Sequence, residues 1–174
     1  MKKQIGIGIA ATAFVVIAAV SVPASAEEIV IGASLPLSGP LAGFGSFQQW
    51  GYKRAVDEVN KAGGISIGGT KQMVKLIIRD DKTDPNATAS NTETLISRDH
   101  VVAMLGSCTP ALVNAGALVA ERAKKPMVTG CDPLEPFLSV RKWNYVWDIF
   151  FSVPDLAAAQ FKALAELNVQ TTKR

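Results

Sequence analysis

Apolar and polar positions fall in blocks along this chain, and the blocks change period. Glu28 to Leu35 (EIVIGASL) is a short β-branched and apolar run closed by Pro36, the pattern of a buried strand. Pro36 to Gly45 is rich in Gly and Pro and reads as a loop. Phe44, Phe47, Gly51, Ala55, Val59 and Ala62 then recur at helical spacing on one face, while Lys53, Arg54, Asp57, Glu58 and Lys61 crowd the other. Gly63-Gly64 stops that helix. Ile65 to Thr70 is a turn-rich excursion, and Val74 to Arg79 (VKLIIR) is a second strand. Asp84 as cap and Pro85 at the first helical position open a second helix that runs to about Arg98. Val101 to Leu105 is a third strand, and Thr109 with Pro110 opens an Ala-rich helix reaching about Lys124. Met127 to Thr129 is a short fourth strand from which Asp132-Pro133 turns out, and Tyr145 to Phe151 is an apolar, aromatic fifth strand. Asp155 to Leu167 is helical, capped by Asp155 or Ser152. Strand and helix alternate throughout, which predicts an α/β fold: a doubly wound parallel sheet with helices on both faces.

The N-terminus breaks this pattern. Met1-Lys2-Lys3 is basic, Ile5 to Val20 is almost wholly apolar, and small residues at Ala24 and Ala26 follow Pro23. That three-part pattern predicts a secretory signal peptide over residues 1–26, cut between Ala26 and Glu27. The other reading is a retained membrane anchor, but the apolar run is about 16 residues, short of the roughly 20 that span a bilayer. No Cys follows the run for lipid attachment, and no long apolar stretch follows Ala26, so no anchor is expected after cleavage. The expected product is exported.

Composition narrows the function. Hydrophobic residues are 48% and charged residues 19%, enough to build a core rather than a disordered tail. The net charge is +3, falling to about +1 once Lys2 and Lys3 leave with the leader. With no basic run, nucleic acid is not expected as a partner. A single histidine, His100, argues against a His-based metal site or triad. No P-loop is present, because Gly45-Ser46 lacks the Lys. A dinucleotide fingerprint fails where Gln48 replaces the third Gly, and Gly106-Ser107 does not supply a nucleophile elbow. Asp80-Asp81 reads as a pair of solvated loop caps with no third metal ligand. No cofactor and no enzyme activity are expected.

Ligands of an open parallel sheet bind at the carboxyl ends of its strands. Three loops there are rich in small residues: Ser38 to Ser46, Gly106 to Thr109, and Gly130 to Asp132. Those that open helices present unpaired N–H groups and the positive end of a dipole, which suits a carboxylate, and Ser107 and Thr109 add hydroxyls. Read singly, the same loops are also adequate as caps and tight turns. Export would place Cys108 and Cys131 in an oxidising compartment, where a disulfide is allowed but not required.

At these loops the chain resembles the type I periplasmic binding proteins of ABC importers, in the leucine/isoleucine/valine-binding branch. The resemblance rests on IVIGASLPLSGPLAGFG, RAVDEVNKAGGI, KLIIRDDKTDPNATA, VVAMLGSCTPA and ALVAERAKKPMVTG, in the family's order and spacing, and it covers Glu28 to Leu167. It implies a soluble periplasmic receptor that closes two lobes around an amino acid or related small carboxylate, is read by a membrane permease, and does no chemistry on its ligand. By resemblance Ser107, Cys108 and Thr109 hold the ligand carboxylate. Cys131 and Asp132 meet its amino group or side chain, and Phe44 is an aromatic wall. Phe150-Phe151 with Trp147 makes the region leaving this lobe aromatic-rich, which extends the ligand class to an aromatic acid or an amide. In the family's fold the third and fourth strands are neighbours, so their exit loops bring Cys108 and Cys131 together. They form either a disulfide at the rim of the site or two small buried thiols. Family members are about twice this long. The expected organisation is therefore a flavodoxin-like first lobe over residues 27–151 and the incomplete start of a second lobe over 152–174. A different reading is a periplasmic sensing module that reports its ligand to a receptor or regulator; an α/β enzyme is a third.

Overall fold

The computed structural model describes residues 28–167; the expected signal peptide and the expected cleavage between Ala26 and Glu27 lie outside them. Five strands form one sheet, β1 (Ile29–Leu35), β4 (Val74–Asp80), β5 (Ala103–Leu105), β6 (Met127–Thr129) and β7 (Val146–Asp148), in the order β4-β1-β5-β6-β7. Every pairing in it is parallel. The helices are α1 (Ala42–Lys61), α2 (Pro85–Ser97), α3 (Pro110–Arg122), α4 (Leu134–Val140) and α5 (Val153–Glu166). This is the predicted α/β alternation, with the third and fourth predicted strands adjacent as β5 and β6. The excursion after Gly64 is a small antiparallel hairpin, β2 (Ile65–Ile67) against β3 (Thr70–Gln72).

One face of the sheet carries the core. Leu95, Val101, Met104, Val113, Ala117, Met127, Phe137 and Val146 pack there under α2, α3 and α4. The Ala-rich sequence of α3 lets it lie close to α2: Gly116 faces Thr88 and Thr92, and a Cβ there would already touch both. Glu121, at the end of α3, is buried and accepts hydrogen bonds from Asn144 N and Nδ2 and from Tyr145 N (2.8 Å). Burial pushes its carboxyl up, but these donors and Arg141 outweigh burial and hold it below the ordinary Glu value. That buried acceptor fixes where the chain enters β7.

The other face is only half covered. α1 lies over β4 and β1, and beyond it a register row Ala33–Leu105–Val128–Trp147 crosses four strands. Ala33 is fully buried, whereas Val128 is 39% and Trp147 52% exposed. The helical face expected of α1 is rotated from the observed one. Gly45, Tyr52, Val56 and Val59 turn inward or sit half-buried, while Phe44, Phe47 and Trp50 point outward. The reason is a close approach at the first turn, where a Cβ on Gly45 would collide with the carbonyl of Pro36. Polar anchors then fix the rotation: Tyr52 Oη donates to Gly106 O at 2.8 Å, and Asn60 pairs both ways with the Val74 backbone.

α4 was not expected from the sequence; its Pro136 falls in the first turn, where a missing N–H costs nothing. α5 is capped by Ser152, whose Oγ accepts from Asp155 N at 3.2 Å, and it buries no residue. Leu156, Phe161, Leu164 and Leu167 remain partly to largely exposed on it. Among the described residues no helix is long and apolar enough to cross a membrane.

Candidate functional site

The carboxyl ends of all five parallel strands open on one edge of the sheet, and acidic residues organise that edge. Asp80 ends β4 and accepts from Leu37 N (3.0 Å), Ser38 N (3.2 Å), Ser38 Oγ (2.7 Å) and Lys82 N (2.8 Å). It therefore holds the β1 exit loop against the β4 exit. Desolvation opposes the charged form of Asp80, and the four donors reverse that and pull its carboxyl below the ordinary value.

Asp81 corrects an expectation. The sequence predicts a solvated cap, yet the residue is fully buried. Its carboxylate accepts from Ser107 Oγ (3.1 Å), Thr83 N (3.0 Å) and, more distantly, Ser34 Oγ (3.4 Å), so β1, β4 and β5 meet on one side chain. Burial pushes its carboxyl up, and the hydrogen bonds oppose that shift. Asn91 of α2 joins the group by donating to Ser34 Oγ (3.2 Å) and to Asp80 O (2.9 Å).

The β5 exit is held from both sides. Gly106 O and Ser107 O accept from Tyr52 Oη (2.8 Å) and Gln48 Nε2 (2.9 Å) of α1. Burial pushes the Tyr52 phenol up to about 12, with the Gln48 hydrogen bond opposing, so it stays a donor. Gly106 N donates to Val128 O (2.8 Å) and Thr109 N to Cys131 O (3.0 Å), which seats the β5 exit beside the β6 exit. Cys108 and Cys131 are joined as a disulfide there, with Cα atoms 4.8 Å apart.

The expected site residues therefore fall into two groups. Ser107, Cys108, Thr109, Cys131 and Asp132 are brought together at the β5 and β6 exits. Phe44 sits in the first turn of α1, 56% exposed. Ser107 is 2% exposed and its one hydroxyl proton is committed to Asp81, so it supports the loop from beneath. Thr109 occupies the N-cap position of α3, as expected, but its side chain makes no cap and its backbone has φ 72° and ψ 150°. The turn before α3 thus leaves the first N–H groups of that helix without a side-chain partner. An apolar depression of about 330 Å³ opens beside Gly130, lined by Gln48, Tyr52, Leu105, Val128, Thr129 and Ile149.

Asp132 is fully buried, and only one of its oxygens is bonded, to Asn114 Nδ2 at 3.2 Å. Asp148 lies on the neighbouring strand in register with Thr129. Burial, then the charge of Asp148, push Asp132 up to about 6, against the Asn114 hydrogen bond. A carboxyl whose folded value exceeds its unfolded value near 3.9 binds its proton more tightly when folded. Its contribution is fully present below about pH 4 and is lost as pH rises through about 6. Asp132→Asn should therefore melt above the parent at pH 7.5, and the gap should shrink steadily toward pH 4. A gap that is constant with pH would contradict this assignment. Among the described residues no group of three His, Cys, Asp or Glu side chains forms a metal-ligand set.

A family described as "Periplasmic binding protein" matches residues 28–172. The chain is 35% identical over 123 residues to Leu/Ile/Val-binding protein homolog 8 of Brucella suis, covering 71% of this chain and 27% of that protein. It is 36% identical over 104 residues to Leu/Ile/Val-binding protein homolog 7 of Brucella abortus, covering 60% and 25%. Its fold is similar to the branched-chain amino acid transporter substrate binding protein LivJ from Streptococcus pneumoniae, solved with isoleucine. That match has TM-score 0.65 and 28% identity over 72% of this chain and 34% of that one. A Rhodopseudomonas palustris solute binding protein solved with 3,4-dihydroxybenzoic acid shares the fold at TM-score 0.65 and 20% identity, over 82% and 37%. The chain thus spans about a quarter of the length of the curated relatives it matches. The proteins named in these matches are binding proteins, not enzymes.

Proposed function

Because the chain belongs to the type I periplasmic binding protein family, we propose that it supplies the first lobe of an exported solute receptor for an ABC importer. Its ligand is an amino acid or related small carboxylate, with aromatic acids and amides inside that class. One observation carries the reading. The exits of β5 and β6, bonded through Thr109 N and Cys131 O and bridged by a disulfide, present an uncapped helix N-terminus at the sheet's carboxyl edge. Such a terminus offers N–H donors and a favourable dipole to an anion, so the ligand carboxylate docks at Thr109 and the first turn of α3. Cys131, half-buried, lies on the same rim above the fully buried Asp132, and Phe44 stands exposed in the first turn of α1. Residues 27–151 form the lobe, and 152–174 begin the second; α5, which buries nothing against the sheet, fits that division. A membrane permease is the partner that reads closure.

The LivJ neighbour makes isoleucine the first ligand to try, and the aromatic residues Trp147, Phe150 and Phe151 make benzoate-type acids the second. Thr109→Val keeps the shape of the side chain but removes the hydroxyl. Calorimetric titration should show it weakening the preferred carboxylate about ten-fold, the value of one hydrogen bond to a charged group. Binding of an uncharged alcohol analogue as tightly as the acid would refute a carboxylate site.

A further inference from the structure

Thr109 is in a backbone conformation that its sequence does not favour. At φ 72° and ψ 150° it occupies a region that only glycine visits freely, and a β-branched side chain adds to the cost. The following Pro110 restricts it further, toward extended conformations of negative φ. A Thr before a helix that starts with Pro would ordinarily adopt negative φ and turn its hydroxyl onto the helix N–H groups as a cap. Something must prevent that relaxation.

The neighbouring contacts show what does. Residues up to Ser107 are fixed without help from the cysteines: Gly106 by Val128 and Tyr52, Ser107 by Asp81 and Gln48. On the far side Val113 N bonds to Thr109 O at 2.9 Å, as the start of α3 requires. Between these fixed points two ties reach across to the β6 exit. One is the Thr109 N to Cys131 O hydrogen bond, and the other is the Cys108–Cys131 disulfide. Both pull the same dipeptide toward Cys131, and the disulfide is the covalent one.

We infer that the Cys108–Cys131 disulfide is a positioning device, holding Thr109 out of its capping conformation so that its hydroxyl and the first N–H groups of α3 stay available to ligand. This rests on the carboxylate reading given above. Reduction by a dithiol or phosphine, which adds two electrons and two protons and yields two thiols, releases the dipeptide. Thr109 then turns to negative φ, caps α3 with its own hydroxyl, and competes with the ligand for the same donors. The paired cysteines act on ligand binding through Thr109 and need not touch the ligand.

The test is a double-mutant cycle read by melting temperature, which needs no ligand. In the bridged protein Thr109→Gly removes the strain and should raise the midpoint by about 2–4 °C or more. In the Cys108→Ala/Cys131→Ala background the same change removes a cap and adds backbone freedom, so it should lower the midpoint. A change of the same sign and size in both backgrounds overturns the inference. If the double alanine variant does not fold, phosphine-reduced protein replaces it in the same cycle. Isoleucine then serves as the binding probe: reduction should weaken it at least ten-fold in the parent. If isoleucine binds oxidised and reduced protein equally, the bridge does not position the site. If it binds neither, the ligand assignment fails, while the sign of the cycle still decides whether the bridge holds Thr109.

Discussion

Replacing Asp81 with alanine should cost about 3 kcal/mol of stability and disorder the binding edge of the lobe. The carboxylate is fully buried and collects Ser107 Oγ, Thr83 N and Ser34 Oγ. Truncation leaves those donors without a partner in a place water does not reach. Each such group costs about 1–3 kcal/mol, although the two hydroxyls can turn in search of other acceptors. Asp81→Asn keeps the shape and one acceptor oxygen, so it should cost less than half as much. Urea denaturation of both variants gives the comparison. The hub joins β1, β4 and β5, so the loss should reach the ligand loop as well. In Asp81→Ala the amides of residues 106–109 should exchange with solvent much faster than those of α2. A cost below about 1 kcal/mol would mean that Asp81 is not the keystone of the edge.

The largest loss from one apolar substitution should come from Phe137→Ala, about 3–4 kcal/mol. Phe137 is 1% exposed and packs into the main core from α4. Its ring stacks on Trp143 with centroids 4.9 Å apart, and its carbonyl accepts from Trp143 Nε1 at 3.0 Å. Arg141 lies over the other ring of this pair at 5.7 Å. Truncation removes the transfer energy of a phenyl ring, leaves a cavity, and unseats the indole that precedes β7. The Trp143 emission should shift to the red in the folded variant, which separates loss of this stack from a uniform loss of stability. Phe137→Leu, which refills most of the volume, should recover more than half of the cost. Equal losses for the two substitutions would indicate that the stack, not the volume, sets the stability.

Much of this architecture was legible because it is written in local patterns. The strands β1 and β4 are short runs rich in β-branched and apolar residues, and Asp84 with Pro85 marks the start of α2 to the residue: Asp84 Oδ1 accepts from Asn86 N at 2.7 Å. The parallel alternation follows from the same punctuation, whereas the adjacency of β5 and β6, and with it the convergence of Ser107 to Thr109 with Cys131 and Asp132, is what the family resemblance implies. What was not legible depends on distant contacts. The rotation of α1 is set by Gly45 against Pro36 and by Tyr52 against Gly106, so Phe44 and Phe47 point outward although their spacing suits a core face. Asp81 looks like any loop carboxylate until β1 and β5 close hydroxyls around it. α4 is too short and too interrupted by Pro136 to give a periodic signal; only Phe137 and Trp143 in contact reveal why it forms. The site itself shows the same division. The candidate loops can be picked out from strand ends and helix starts, whereas the inward turn of Ser107 and the uncapped state of Thr109 arise from packing that no single segment encodes.

The central claim is that the β5 and β6 exits bind a small carboxylate. Amide shift mapping of the nitrogen-15-labelled protein during titration with isoleucine and, separately, a benzoate-type acid tests it most directly. The account predicts saturable shifts at residues 108–112 and 130–132 with one of the two, smaller ones at Phe44, and none along the outer face of α2. Shifts confined to α2, α4 or α5, or no saturable shift with either acid, would contradict it.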